Sequence, residues 1–281
     1  MPADRKRWLL VVASVVVLAT GLLALRLLTA SEEAPASNEP TAATLSDESR
    51  VLRLRAEVRS VRPHDPEAFT QGLLWYQGKL YESTGQYGTS SLRRIDPATG
   101  QVEQSVKLAD DLFAEGLARV GERLIQLTWR AGRAIVYDLP RLEEVGRLEY
   151  TGEGWGLCFD GQRLVMSNGT DTLTLRDPES FRETGRLQVT LEGRPVRHLN
   201  ELESAEGWIY ANVWQSEAIL RIDPSTGAVR ARIDASGLLS PAERARVGIL
   251  NGIAYEPLSA TFLLTGKLWP KLFEVVFVEA N

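Results

Sequence analysis

Five side chains stand at one fixed place in a recurring segment: Gln71, Glu115, Trp155, Asn200 and Asn251. The segments are FTQGLLW from Phe69, FAEGLAR from Phe113, GEGWGLCF from Gly152, HLNELES from His198 and ILNGIAY from Ile249. One carboxyl group among amides and an indole suits proton transfer on a polar substrate held away from water. A second set follows at a fixed offset. Gln71 leads to Gly85, Glu115 to Trp129, Trp155 to Gly169 and Asn200 to Trp214, each 14 residues on, and Asn251 leads to Lys267 after 16. The set adds two indoles and an ammonium, and the ammonium can oppose negative charge that develops during a reaction.

Elements of a particular kind must bring these positions together. The first set is spaced 44, 40, 45 and 51 residues apart, with short strand-like runs inside each interval. That period marks a β-propeller, here an all-β, five-bladed one. In the first repeat FTQGLLW and KLYEST form a hairpin around Gly78, and SLRRID and QVEQSVKL form another around Pro97 to Gly100. Proline presets one turn dihedral and glycine accepts the left-handed one, and the same turn recurs at Asp223 to Gly227. The start of one hairpin strand lies beside the end of its antiparallel partner, so both sets should open at the same end of the propeller. The fifth repeat has three strands, at 253–256, 261–266 and 272–278. Val51 to Val61 is expected to supply the fourth and close the ring without a long open edge. Ser236 to Val247 is expected to form a helical turn outside the pattern.

The motifs themselves are familiar. FTQGL at 69–73, YESTGQYGTSSLR at 81–93, AEGL at 114–117, LTW at 127–129 and GEGWGL at 152–157 occur in order. LNELE at 199–203, ANVWQ at 211–215, LNGIAY at 250–255 and TGKLWPKLFEV at 265–275 follow them. From about residue 50 onward this series resembles the plant and bacterial glutaminyl-peptide cyclotransferases. The resemblance implies a five-bladed propeller that converts N-terminal glutamine of peptides or proteins to pyroglutamate with loss of ammonia. It implies Glu115 as the catalytic acid–base and places other site residues on Gln71, Trp129, Trp155, Asn200, Trp214 and Lys267. Ala114 and Asn168 depart from the family pattern, where glycine and aspartate are common, and neither is the acid–base group.

The chemistry suits these residues. Lys267 and Asn200 are candidate donors to the oxyanion that develops on the amide carbonyl as the α-amine attacks it, and Gln71 and Asn251 are candidate substrate contacts. Trp129, Trp155 and Trp214 would wall the reacting side chain. The scheme requires no metal or organic cofactor.

Other features limit the alternatives. The 281 residues carry 32 basic and 37 acidic side chains, a net charge of −5 with no basic aromatic stripe, so nucleic acid is not an expected partner. Cys158 stands alone within an apolar run, as a buried structural thiol does, and no internal disulfide can form. His64 and His198 lack zinc-ligand spacing. At the N-terminus Asp4-Arg5-Lys6-Arg7 precedes a mostly apolar stretch from Trp8 to Leu28. Such a stretch reads as a transmembrane signal anchor or as a cleaved signal peptide. Either would export the rest of the chain to a periplasmic or other extracytoplasmic space, and an uncleaved one makes the membrane a partner. The chain therefore divides into a signal segment at 1–30, a flexible Ala/Ser/Thr/Glu/Pro-rich tether at 31–49 and a catalytic domain at 50–281. Two rivals fit the same ring of residues. A propeller lactonase or hydrolase would use Glu115, Asn200 and Asn251 around Ca²⁺, and a membrane-anchored propeller could serve only as a binding module.

Overall fold

The protein is described by a computed structural model over residues 50–280, and the apolar segment at 8–28 and the tether at 31–49 lie outside the described residues. Strand β1 (Leu52–Pro63) comes first. A four-stranded antiparallel sheet follows, made of β2 (Thr70–Tyr76), β3 (Lys79–Thr84), β4 (Ser91–Ile95) and β5 (Val102–Lys107). The second sheet contains β6 (Ala114–Val120), β7 (Arg123–Thr128), β8 (Arg133–Asp138) and β9 (Glu144–Glu149). The third contains β10 (Leu157–Phe159), β11 (Leu164–Met166), β12 (Thr172–Arg176) and β13 (Glu183–Gln188). A small hairpin, β14 (Thr190–Leu191) and β15 (Arg194–Pro195), leads to β16 (Leu199–Ala205), β17 (Trp208–Val213), β18 (Ala218–Ile222) and β19 (Val229–Asp234). Helix α1 (Pro241–Arg244) precedes β20 (Leu250–Glu256), β21 (Thr261–Gly266) and β22 (Lys271–Glu279). The fold of the described residues is thus all-β apart from one helical turn.

Strand β1 joins the two ends of the domain. It pairs antiparallel with β22 from Leu54 opposite Glu279 to Pro63 opposite Lys271. Its first residues also pair in parallel with β19, Leu52 opposite Ala231 through Arg55 opposite Asp234. It therefore gives β20–β22 the fourth strand expected of the 51–61 segment, and it links that group to β16–β19 in one eight-stranded sheet. The helical insertion expected between 236 and 247 is α1, capped by Ser240 with a reciprocal bond from Glu243.

Burial follows position within each sheet. Inner strands such as β2 and β6 are buried along most of their length, as strands covered on both faces are. Outer strands β5 and β9 alternate between half-buried and exposed residues. The apolar side chains form five clusters, each shared by two neighbouring groups of strands. The fifth joins Leu73, Leu80 and Ile95 of the first sheet to Ala254, Leu263 and Leu272 near the C-terminus. Side-chain packing therefore returns to where it began, and the inner strands β2, β6, β10, β16 and β20 meet around a common centre.

Candidate active site

Each inner strand carries an irregularity at the recurring position. Pairing of β2 with β3 skips from Thr70 to Gly72, which leaves Gln71 as the extra residue. Equivalent shifts fall between Ala114 and Leu117, Leu199 and Leu202, and Leu250 and Ile253. Before β10, Trp155 N–H donates to the Ser167 carbonyl and Ser167 N–H donates to Gly156, so two residues again oppose one. These are β-bulges, which bend a strand and re-aim a side chain that regular alternation would direct elsewhere.

Nine residues surround one cavity of about 450 Å³. Gln71, Glu115, Asn200 and Lys267 supply its polar groups. Phe69, Phe113, Trp129, Trp155 and Trp214 supply its walls. Another cavity of about 480 Å³ lies among turn residues such as Gly161, Gln162 and Gly207, and none of the recurring positions lines it. All but one of the residues predicted from sequence converge on the first cavity, which makes it the candidate site.

Asn251 is the exception. It is fully buried and does not line the cavity. Its amide donates to the Thr70 carbonyl at 3.0 Å and to Gln71 Oε1 at 3.2 Å. The expectation that Asn251 contacts substrate is therefore corrected: it lies one layer back and fixes the orientation of Gln71. Gln71 in turn donates from Nε2 to Glu115 Oε1 at 2.9 Å.

Glycines in the second set make room for aromatic walls. A Cβ on Gly85 would lie 2.4 Å from Phe113 Cε1, and one on Gly169 would lie 2.6 Å from Trp155 Cη2. Where the second-set residue is small, an aromatic ring thus occupies the space. The walls meet edge to face: Phe113 against Trp129 at 5.6 Å between centroids, and Trp155 against Trp214 at 6.0 Å. Lys267 Nζ stands 4.7 Å from the Phe69 ring centroid, a cation over an aromatic face.

Electrostatics distinguish Glu115 from an ordinary surface carboxylate. Burial pushes its pKa well above the usual range, the Lys267 charge opposes this, and the Glu153 charge adds to it. Burial likewise lowers Lys267, with Glu115 pulling the other way. A cavity that disfavours both charges is a setting in which a carboxyl group can take part in proton transfer.

The sequence model of the glutamine cyclotransferase family matches residues 24–277. The chain belongs to the glutamine cyclotransferase family. It is 44% identical over 232 residues to a glutaminyl-peptide cyclotransferase of Arabidopsis thaliana, covering 80% of this chain and 72% of the relative. It also superposes on the crystal structure of Myxococcus xanthus glutaminyl cyclase with a TM-score of 0.78 at 43% identity, covering 83% of this chain and all of that one.

Sequence reasoning passed over three residues that matter to this family member's cavity. Phe69, Phe113 and Glu153 each stand two positions before a recurring residue, just ahead of the inner strands. That spacing was the available signal. Glu201 was also missed. Its carboxyl accepts from Leu73 N–H at 3.4 Å and Ile253 N–H at 2.9 Å, tying β16 to β2 and β20. The repeats around it carry Gly72, Gly116, Gly156 and Gly252 at the same place, so only the fourth has a side chain there.

Proposed function

We propose that this chain is a glutaminyl-peptide cyclotransferase, converting N-terminal glutamine of peptides or proteins to pyroglutamate with release of ammonia. We further propose that its five groups of four strands are the blades of a five-bladed propeller. The five shared apolar clusters, returning from the last group to the first, support that count. The observation that carries the function is Glu115, 4% exposed and hydrogen-bonded to Gln71, set in a cavity with three indoles and Lys267.

In this reaction the substrate's α-amine nitrogen bonds to its own side-chain amide carbon, closing a five-membered ring. The amide C–N bond then breaks and its nitrogen leaves as ammonia. Nucleophile and electrophile belong to one residue, so holding them in contact is a large part of the task; well-oriented intramolecular reactions gain roughly 7–11 kcal/mol. The three indoles and Phe113 restrict the side-chain rotamers and keep water out, which also limits hydrolysis to glutamate. Glu115 as carboxylate takes a proton from the attacking amine and returns it to the departing nitrogen. The carboxyl ends the cycle as it began. Burial raises its pKa, which favours the acid form that returns the proton to the leaving nitrogen. Lys267 and Asn200 face the cavity as donors to the oxyanion on the amide carbon. Gln71 binds the amine or its carbonyl, held by Asn251 behind it.

The test is ammonia release from a Gln-initiated dipeptide by the full chain, with the cyclised product identified by mass spectrometry. No pyroglutamate from several such peptides would leave only a binding role and refute the proposal. We propose also that the segment at 8–28 carries the domain to an extracytoplasmic space, a reading supported by its sequence alone. Recovery of the expressed protein solely in the cytoplasmic fraction would contradict it. Among the described residues no helix is long and apolar enough to cross a membrane.

A further inference from the structure

One oxygen of one carboxylate holds two walls of the cavity. Glu153 Oε2 accepts the indole N–H of Trp129 at 2.9 Å and that of Trp155 at 3.0 Å. Its other oxygen accepts Arg130 Nε at 2.9 Å. The Arg130 guanidinium also lies 3.7 Å from the centroid of the Trp129 ring. An indole has a single N–H, so fixing that one donor fixes the plane of the ring about its own side-chain torsions. Trp129 directly follows β7 of the second sheet, whereas Trp155 precedes β10 of the third. Glu153 therefore spans two sheets at the point where the cavity walls come from different parts of the chain. Through Trp155 it also reaches Trp214, which packs edge-on against that ring.

We propose that Glu153 is a positioning residue of this site, a charged clamp that sets the spacing and tilt of Trp129 and Trp155 and so the width of the slot for the reacting side chain. This inference rests on the cyclotransferase reading and goes beyond it. The residue stands where the first two repeats have Phe69 and Phe113, so its charge is a local departure from an aromatic pattern. Three donors already occupy most of its about four acceptor positions, which makes it a poor substrate contact. Burial alone would raise its pKa, but hydrogen bonds from Trp155, Trp129 and Arg130 outweigh that and hold it below the usual carboxylate range. It therefore remains an anion at neutral pH and cannot share the proton-carrying role of Glu115. The same anion is one of the charges that raises Glu115.

The decisive variant is Glu153→Gln in the full-length protein. Glutamine has the same size, but its amide nitrogen is a donor that must face either an indole N–H or Arg130, and the charge is gone. The expected result has three parts. KM for a Gln-initiated dipeptide rises about tenfold or more, as loss of charge-assisted hydrogen bonds implies, while kcat falls less. The near-UV circular dichroism of the tryptophans changes. The pH midpoint governing kcat/KM moves down, because removing a neighbouring negative charge makes Glu115 easier to ionise. A second variant pair checks the route: once Trp129→Phe and Trp155→Phe have removed both N–H groups, adding Glu153→Gln should cost little more in KM. A raised KM with unchanged tryptophan spectrum and unchanged pH midpoint would mean that Glu153 touches substrate directly, and it would overturn the clamp. Wild-type KM in Glu153→Gln would overturn it as well. If the wild-type protein forms no pyroglutamate, the activity reading fails, but the near-UV spectrum still decides whether Glu153 sets the indoles.

Discussion

Replacing Glu115 by glutamine keeps the volume and planarity of the side chain and removes its ability to carry a proton. The variant amide can still accept the Gln71 Nε2 hydrogen bond that is 2.9 Å long in the native protein. Substrate affinity should therefore change little. Two explanations of Glu115 then predict different losses. If it were only a structural partner for Gln71, its loss would cost about 1 kcal/mol, roughly fivefold. If it moves the proton, the loss is about 10² to 10⁴ in kcat, or roughly 2.7–5.4 kcal/mol at 1.36 kcal/mol per decade. Continuous ammonia detection with a Gln-initiated dipeptide, fitted for kcat and KM separately, distinguishes these. A kcat within about fivefold of wild type would refute the proton shuttle. Stability supplies an independent check. The folded-state pKa of Glu115 is raised by burial, so the native protein holds a proton that the unfolded chain releases. Its stability must then fall as pH rises from the ordinary carboxylate range through the raised value. Glutamine carries no such penalty. The Glu115→Gln protein should match or exceed wild type in Tm near pH 8, by a margin that shrinks towards about pH 4. A variant that is inactive and also melts much lower at pH 8 would show that the residue's loss disrupts the fold.

Three other expectations follow from the same geometry. Lys267→Ala should lower kcat without a large fall in Tm, since burial already disfavours the ammonium there, and a large fall would make Lys267 a structural residue. Gly85→Ala should raise KM by displacing Phe113, whose Cε1 would be 2.4 Å from the new Cβ, and an unchanged KM would show that the ring has room to move. His64 has Nδ1 2.7 Å from the Trp269 carbonyl and Nε2 3.0 Å from Glu82 Oε1, so the doubly protonated ring satisfies both acceptors. Burial alone would lower its pKa, but the charge and hydrogen bond of Glu82, with the Trp269 carbonyl and Asp65, raise it. A raised folded-state pKa gives stability that is complete below the unfolded value of about 6.5 and is lost as pH rises through the folded value. Wild-type Tm should therefore decline through that window, and His64→Gln should be less stable below it and lack that part of the decline. Parallel Tm curves for the two proteins would exclude the His64–Glu82 pair as the source.

The sequence by itself determined the repeat, the strand order within each repeat, the role of residues 51–61 in completing the last group, and the family. These follow from local signals: period, turn residues and motifs read along one stretch of chain. It also grouped Gln71, Glu115, Asn200, Lys267 and three tryptophans correctly, because equivalent positions in equivalent hairpins must converge. Tertiary structure decided what happens between the repeats. The bulge that aims each recurring side chain is a mismatch between two strands and has no signature in either alone. Asn251 occupies the same place in its repeat as Glu115, yet it lies behind Gln71. The difference comes from how β20 meets β2, two strands about 180 residues apart in the chain. Glu153 was legible as a charged residue and illegible as a clamp, because its indole partners come from two different sheets. The rise in the pKa of Glu115 is likewise a property of closure. A carboxyl group loses its water only when the other strands arrive around it, and no spacing along the chain can express that.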